Sequence, residues 1–151
     1  MSITVRRATP ADAAVIVEFN RLLAEETEGK ALDLAVLAPG VAAALTDPAR
    51  ALYFVAEAGG AVVGQAMVTF EWSDWRNGWI WWFQSVYVHK NYRRQGVFRT
   101  LFEQVRETAG RTPQVVGLRL YVEQDNHAAQ QTYARLGLER TTYLLLERVP
   151  L

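Results

Sequence analysis

Apolar and polar residues alternate from Ile3 to Arg6, the period of a half-buried strand, and this predicts a short strand near the start of the chain. Thr9-Pro10-Ala11-Asp12 then reads as a helix start. Thr9 can cap, Pro10 suits the first helical position, and Asp12 lies near the positive end of the helix dipole. Val15, Phe19, Leu22 and Leu23 continue that helix at helical spacing. An acidic, irregular stretch follows from Glu25 to Asp33. A second helix is expected over Leu34 to Leu45, broken near Pro39-Gly40 because proline cannot donate to the helical ladder.

After Asp47-Pro48 the period changes. Leu52 to Glu57 and Val62 to Glu71 read as strands joined by a turn at Gly59-Gly60. Asn77-Gly78 marks another tight turn, and Trp79 to Val88 is a third, long strand. Its two faces are both largely apolar (Trp79, Trp81, Phe83 and Tyr87 against Ile80, Trp82, Val86 and Val88), which places it inside a sheet and not at an edge. Val97 to Ala109 is a helix with Val97, Leu101 and Val105 on one stripe, Phe98 and Phe102 beside it. Val115 to Val122 is a strand, Asn126 to Leu136 a helix closed by Gly137, and Thr141 to Glu147 a last strand. The order β-α-α-β-β-β-α-β-α-β predicts an α/β (α+β) fold, a mixed central sheet flanked by helices, in one domain spanning 1–151.

Composition narrows the function. The chain has 151 residues, half of them apolar, and 16 Lys+Arg balance 16 Asp+Glu. A neutral, half-apolar chain folds rather than staying disordered, and neutrality argues against nucleic-acid or membrane-surface binding. No cysteine is present, which removes disulfides, zinc–cysteine sites and thiol catalysis, and His89 and His127 lie too far apart in sequence to suggest a metal centre. No secretory leader or apolar run of about 18 residues is visible, so a cytoplasmic chain is expected. One feature escapes the averages: all five tryptophans fall between Trp72 and Trp82.

The sharpest chemistry lies where Val86-Tyr87-Val88 runs through His89-Lys90-Asn91-Tyr92 into Arg93-Arg94-Gln95-Gly96-Val97-Phe98-Arg99. A strand ends, a short basic loop with a glycine follows, and a helix begins. Loop and helix-start amides can converge on one spot where the dipole also favours negative charge, the makings of a phosphate or pyrophosphate site. From Lys90 to Arg111 there are six basic residues and two acidic ones. A solvated helix start with arginines in water fits the same pattern.

This segment resembles the signature of the GCN5-related N-acetyltransferase (GNAT) superfamily, a strand ending in Val followed by Arg/Gln-x-x-Gly-x-Gly/Ala opening a helix; Val88, Arg93, Gly96 and Arg99-Thr100-Leu101 fit its register. Downstream, Asn126-His-Ala-Ala-Gln-Gln-Thr-Tyr133-Ala-Arg-Leu-Gly137-Leu138 is similar to the family's second signature, Asn-x-x-Ala-x-x-x-Tyr-x-x-x-Gly-Phe. Ile3 to Thr9 with Asp12 resembles its first strand and helix. The resemblance implies acetyl-CoA as co-substrate, with no metal. It implies that Arg93, Arg94, Gln95, Gly96, Val97, Phe98 and Arg99 surround the pyrophosphate, the amides of Arg94 to Arg99 holding it. Backbone groups of Val86, Tyr87 and Val88 would pair with the pantetheine arm and polarise the thioester carbonyl. Asn126 would contact the pantetheine, although it also suits a helix N-cap. Tyr133 would protonate the departing thiolate, since a phenol's pKa lies near that of an alkyl thiol; packing on the sheet is its plainer role.

The sequence also departs from the family. Phe98 stands where Gly or Ala is preferred, and leaves the amides accessible only if it packs toward Phe102. Lys90 replaces a frequent proline. Gln84 occupies a position where several relatives, including diamine acetyltransferases, carry a catalytic glutamate; an amide cannot take a proton at neutral pH, so the base is water or a carboxylate such as Glu71, Glu123, Glu25 or Glu26. Acidic Glu25 and Glu26 with aromatic Trp75 and Trp81, beside Gln84, would suit a cationic amine through ion pairing and cation–π contact. An exposed acidic face is the alternative for the glutamates. Core filling or a homodimer contact is the alternative for the tryptophans. The expected activity is acetyl transfer to a primary amine, a small molecule, by direct attack; the alternative is an acyl-CoA-binding sensor without turnover. Nucleic acid is not an expected partner.

Overall fold

The computed structural model describes residues 2–151. Five strands, β1 (Ile3–Arg7), β2 (Leu52–Ala58), β3 (Ala61–Ser73), β4 (Gly78–Val88) and β5 (Val115–Arg119), form one sheet in sequence order. The first four are antiparallel to their neighbours, while β5 runs parallel to β4, making the sheet mixed. The doubly apolar β4 lies inside it, between β3 and β5, as its pattern predicts. Four helices complete the fold: α1 (Ala13–Glu28), α2 (Leu34–Thr46), α3 (Val97–Arg111) and α4 (His127–Arg135). The chain divides into two units, one ending at Leu120 with the sheet and α1 to α3, the other Tyr121–Leu151 with α4.

Strand alternation sorts α1 and α2 onto one face of the sheet and α3 onto the other. Tyr53 and Val55 of β2 are buried with Ile16 of α1 and Val41 and Ala44 of α2. Ala56 points the other way and pairs with Gly64 of β3, whose missing Cβ makes room for Val97 and Leu101 of α3. Farther along that second face the Phe83 and Phe102 rings stack with centroids 5.3 Å apart. Ile16, Val55, Leu101 and Val105 are fully buried, and each such side chain contributes roughly 1.5–3 kcal/mol through burial. The start of α1 is fastened as its sequence suggests. The Asp12 carboxylate accepts from the Thr9 amide at 2.8 Å and from Arg6 at 2.8 Å, and Pro10–Asp12 forms a tight turn ahead of the helix.

The structure departs from three expectations. The second helix is not broken at Pro39-Gly40 but runs unbroken through Pro39 to Thr46. Burial of Val41 and Ala44 beyond the proline outweighs the lost ladder bond, a case of packing overriding local propensity. The strand expected over Thr141 to Glu147 does not form; those residues pair with no strand, and Leu144 and Leu146 are each 87% exposed. Leu-rich segments become strands only against a hydrogen-bonding neighbour, because β propensity reports context more than backbone preference. The strand predicted over Val115 to Val122 is likewise shorter, ending at Arg119.

Gly64 offers a direct test of how closely α3 approaches the sheet. An added Cβ would lie 2.9 Å from Val97 Cγ1 and 3.2 Å from the Tyr87 carbonyl oxygen. Gly64→Ala is expected to destabilise by about 1–3 kcal/mol, read as a fall of several degrees in Tm. Val97→Ala in the same chain should recover part of that loss, a positive coupling in a double-mutant cycle; independent, additive effects would show that α3 yields without strain.

Candidate functional site

The parallel ladder between β4 and β5 is short. Pairing runs from Trp79↔Val115 to Trp82↔Arg119, after which β4 continues to Val88 against β3 alone. The backbone edge of β4 beyond Trp82 is thus left without a strand partner on the β5 side. Along the same stretch β4 carries a bulge. Tyr87 opposes Gln65 and Gln84 opposes Met67, so two residues, Ser85 and Val86, face the single residue Ala66. Ser85 adopts φ +50°, a left-handed conformation uncommon outside glycine. The extra residue reverses alternation, so Gln84 and Tyr87, three apart, both reach the α1 side: Gln84 lies beside Thr69, and the Tyr87 ring is 5.2 Å from Phe19 of α1.

From the end of β4 the chain makes a tight turn at Lys90–Tyr92 and enters α3. Two residues of this connection are left-handed, Arg94 at φ +62° and Gly96 at φ +82°. Nothing lies within 4 Å of a Cβ at Gly96, so glycine is needed there for conformation and not for space. No side chain caps the first turn of α3, whose amide groups have no helical acceptor of their own. Arg94, Gln95 and Arg99 are exposed around that helix start, and Val97 is buried beneath it. The Phe98 ring lies 6.2 Å from that of Phe102, directed along the helix. Backbone donors, a dipole end and two exposed guanidinium groups lie together at this helix start, an arrangement able to attract a polyanion.

Arg93 does something different from its neighbours. Its Nε donates to the Val88 carbonyl at 2.9 Å, its Nη2 lies 2.7 Å from Glu26 Oε1, and the guanidinium sits over the Tyr87 ring. The Tyr87 hydroxyl donates a short hydrogen bond to the other Glu26 oxygen. Glu26, at the C-terminal end of α1, therefore clasps the strand end and the basic loop together. The Tyr87 hydrogen bond, followed by Arg93, holds the Glu26 carboxyl below the usual carboxylate range. Burial, reinforced by the Glu26 charge, pushes the Tyr87 phenol up to about 12.

The residues expected to form an acceptor wall do not gather in one place. Glu25 points outward and pairs with Arg21 on the helix surface at 2.9 Å. Trp75 is 88% exposed at the hairpin tip, while Trp81 is buried with its ring 5.9 Å from Phe70. Trp81 shares the Phe83 side of β4, the face covered by α3, and Gln84 occupies the opposite face, its amide donating to Thr69 at 2.6 Å. Beside Gln84 stands a group that no short motif announces. Glu71 of β3 accepts from Trp82 Nε1 at 2.7 Å and from Arg119 of β5 at 3.0 Å. These donors lower the Glu71 pKa, Trp82 foremost, so Glu71 is an ionised, weakly basic carboxylate. The sequence offers Glu71 among the candidate bases; its pairing with Trp82 and Arg119 shows only in the fold.

In the second unit Asn126 caps α4, its Oδ1 accepting from the Ala129 amide at 3.2 Å. Tyr133 is half-buried on α4, and burial raises its phenol pKa, which keeps the hydroxyl protonated at neutral pH.

Residues 16–138 match the acetyltransferase (GNAT) family. No protein of curated function matches the chain. Among solved structures, a possible acetyltransferase from Clostridium difficile 630 is 44% identical, with a TM-score of 0.91, over 100% of this chain and 99% of that one. Two more distant structures share the fold. An aminoglycoside acetyltransferase from an uncultured soil metagenomic sample is 17% identical with a TM-score of 0.74, over 100% of this chain and 99% of the other. A predicted acetyltransferase from Clostridium acetobutylicum, solved with acetyl-CoA, is 16% identical with a TM-score of 0.80, over 98% of this chain and 97% of the other.

The clasp carries a pH signature. A carboxyl with a lowered folded-state pKa contributes stability above its ordinary value near 4.3 and loses it as pH falls through the folded value. Glu26→Gln should cost about 1 kcal/mol at pH 7, since Glu26 and Arg93 are partly exposed. Urea melts should show the gap to the parent protein closing as pH falls below about 4. A gap independent of pH would mean that the charge of Glu26 plays no part.

Proposed function

We propose that this chain, which belongs to the acetyltransferase (GNAT) family, transfers an acetyl group from acetyl-CoA to the primary amine of a small molecule, with 1–151 acting as a single catalytic domain. The observation that carries the reading is the convergence of three features. The β4 backbone is freed beyond Trp82, the loop is left-handed at Arg94 and Gly96, and the first turn of α3 is uncapped.

The residues present suit the co-substrate. Amides from Arg94 to Arg99 would hold the pyrophosphate, with the exposed Arg94 and Arg99 side chains adding charge. Arg93, engaged by Glu26 and Val88, would shape the loop rather than ligate phosphate. The backbone of Val86 to Val88 would pair with the pantetheine and polarise the carbonyl. Bound acetyl-CoA supplies an activated acetyl thioester. The neutral acceptor amine forms the new C–N bond directly as the C–S bond breaks; Tyr133 gives its phenolic proton to the leaving sulfur, and the amine sheds a proton to solvent. Burial keeps the Tyr133 phenol protonated, and by raising its pKa also makes it a weaker donor to the leaving sulfur. Asn126, already an N-cap, would steady the start of its helix. On the acceptor side Gln84 and ionised Glu71 share one face of the sheet; Glu25, Trp75 and Trp81 are poorer candidates for the same pocket, by the placements above. The exposed Trp72, Trp75 and Trp79 would suit a homodimer contact.

A sensor that binds acyl-CoA without turnover is the second reading, favoured by the amide at Gln84 and the low basicity of Glu71. Thiol release from acetyl-CoA across a panel of amines separates the two: saturable, amine-dependent release supports transfer, and calorimetric binding without release on any amine supports the sensor. Tyr133→Phe should lower kcat about tenfold to a hundredfold or more and leave acetyl-CoA affinity nearly unchanged; full activity would remove Tyr133 from the mechanism. Arg94→Ala and Arg99→Ala should each weaken acetyl-CoA binding about tenfold, equivalent to about 1.4 kcal/mol. The weakening should shrink in high salt, and unchanged affinity would move the pyrophosphate elsewhere.

A further inference from the structure

Gln65 of β3 is fully buried, yet it is a primary amide in the middle of a sheet. Its Nε2 donates to the Ser85 carbonyl at 3.0 Å, and its Oε1 accepts from no described residue. An apolar side chain of equal length would fill the same space without a half-satisfied amide, so the position calls for a reason beyond packing. The partner supplies one. Ser85 is the left-handed residue of the β4 bulge, where β3 has one residue against two and the ladder cannot satisfy every backbone group. A non-glycine residue at φ +50° persists only when its surroundings hold it. Gln65 does so by taking the Ser85 carbonyl.

We propose that Gln65 is a positioning residue for acetyl transfer: by gripping the Ser85 carbonyl it fixes the bulge that sets the direction of the Val86 to Val88 backbone. The inference rests on the acetyltransferase reading, in which that backbone polarises the thioester carbonyl. Loss of the grip lets the Ser85–Val86 peptide turn, and small misplacements at a reacting centre weigh heavily on rate. Affinity for acetyl-CoA draws more on the pyrophosphate held at the start of α3 than on this one peptide. The two parameters therefore split.

The test uses Gln65→Met, which keeps the length and removes the donor, and the pair Gln65→Met/Ser85→Gly, in which glycine adopts φ +50° without strain. Expected for Gln65→Met is a kcat about tenfold or more below the parent protein, with the acetyl-CoA dissociation constant within about threefold. The added Ser85→Gly should restore most of the lost kcat, which a purely packing role for Gln65 would not allow. A Gln65→Met kcat within twofold of the parent, or no rescue by Ser85→Gly, overturns the proposal. Should the parent protein bind acetyl-CoA and acetylate nothing, the transfer reading fails on its own. The positioning claim is then read from the amide resonances of Val86 to Val88 on saturation with acetyl-CoA. They should respond differently in Gln65→Met while those of Gly96 to Arg99 respond alike, and identical responses in both proteins overturn it.

Discussion

Two residues of β4 stand against one of β3, and the site is organised by that mismatch. The bulge at Ser85 and Val86 turns the strand so that Tyr87 lands on the α1 face beside Phe19, within reach of Glu26. With Tyr87 there, Glu26 can hold Arg93, and Arg93 can hold the Val88 carbonyl. The basic loop inherits its position from this chain of contacts. Without the extra residue, simple alternation would send Tyr87 to the α3 face and leave the clasp without its tyrosine.

The same region shows how a chain with no net charge presents a local positive field. Arg6, Arg21 and Arg93 are each spent on a carboxylate, Asp12, Glu25 and Glu26 in turn. Arg94 and Arg99 flank the opening of α3, where the helix dipole and the uncapped amides act in the same direction. The placement of a few arginines, more than their number, sets the local field there. Around Glu71 the logic is reversed. Glu71 is ionised but held by Trp82 and Arg119, so it presents polarity with little basicity.

Much of the fold was legible because strand period, turn glycines and helix stripes are local signals. Five of the six expected strands and all four helices form, and β4 was identifiable as interior from its two apolar faces. The failures share a cause. Pro39 and the Thr141 to Glu147 segment were read from local propensity, and each outcome depends on what the segment meets in space. The glycine of the basic loop and the Asn126 cap could be read from spacing. The Glu71–Arg119 pair could not, since its members are 48 residues apart and meet only because β5 joins β4 in parallel. Nor could the grip of Gln65 on Ser85, because a bulge leaves no composition signal when its left-handed residue is not glycine. Glu26 was legible as acidic and near the acceptor loop; its partners, Tyr87 and Arg93, required the fold.

We propose that the freed edge of β4 and the start of α3 together receive acetyl-CoA. In a crystal structure of the protein with acetyl-CoA bound, pyrophosphate oxygens should lie within hydrogen-bond distance of amides between Arg94 and Arg99, and the pantetheine arm should run along the β4 backbone at Val86 to Val88. Pyrophosphate bound elsewhere, or held by an Arg93 that has left Glu26, would contradict it.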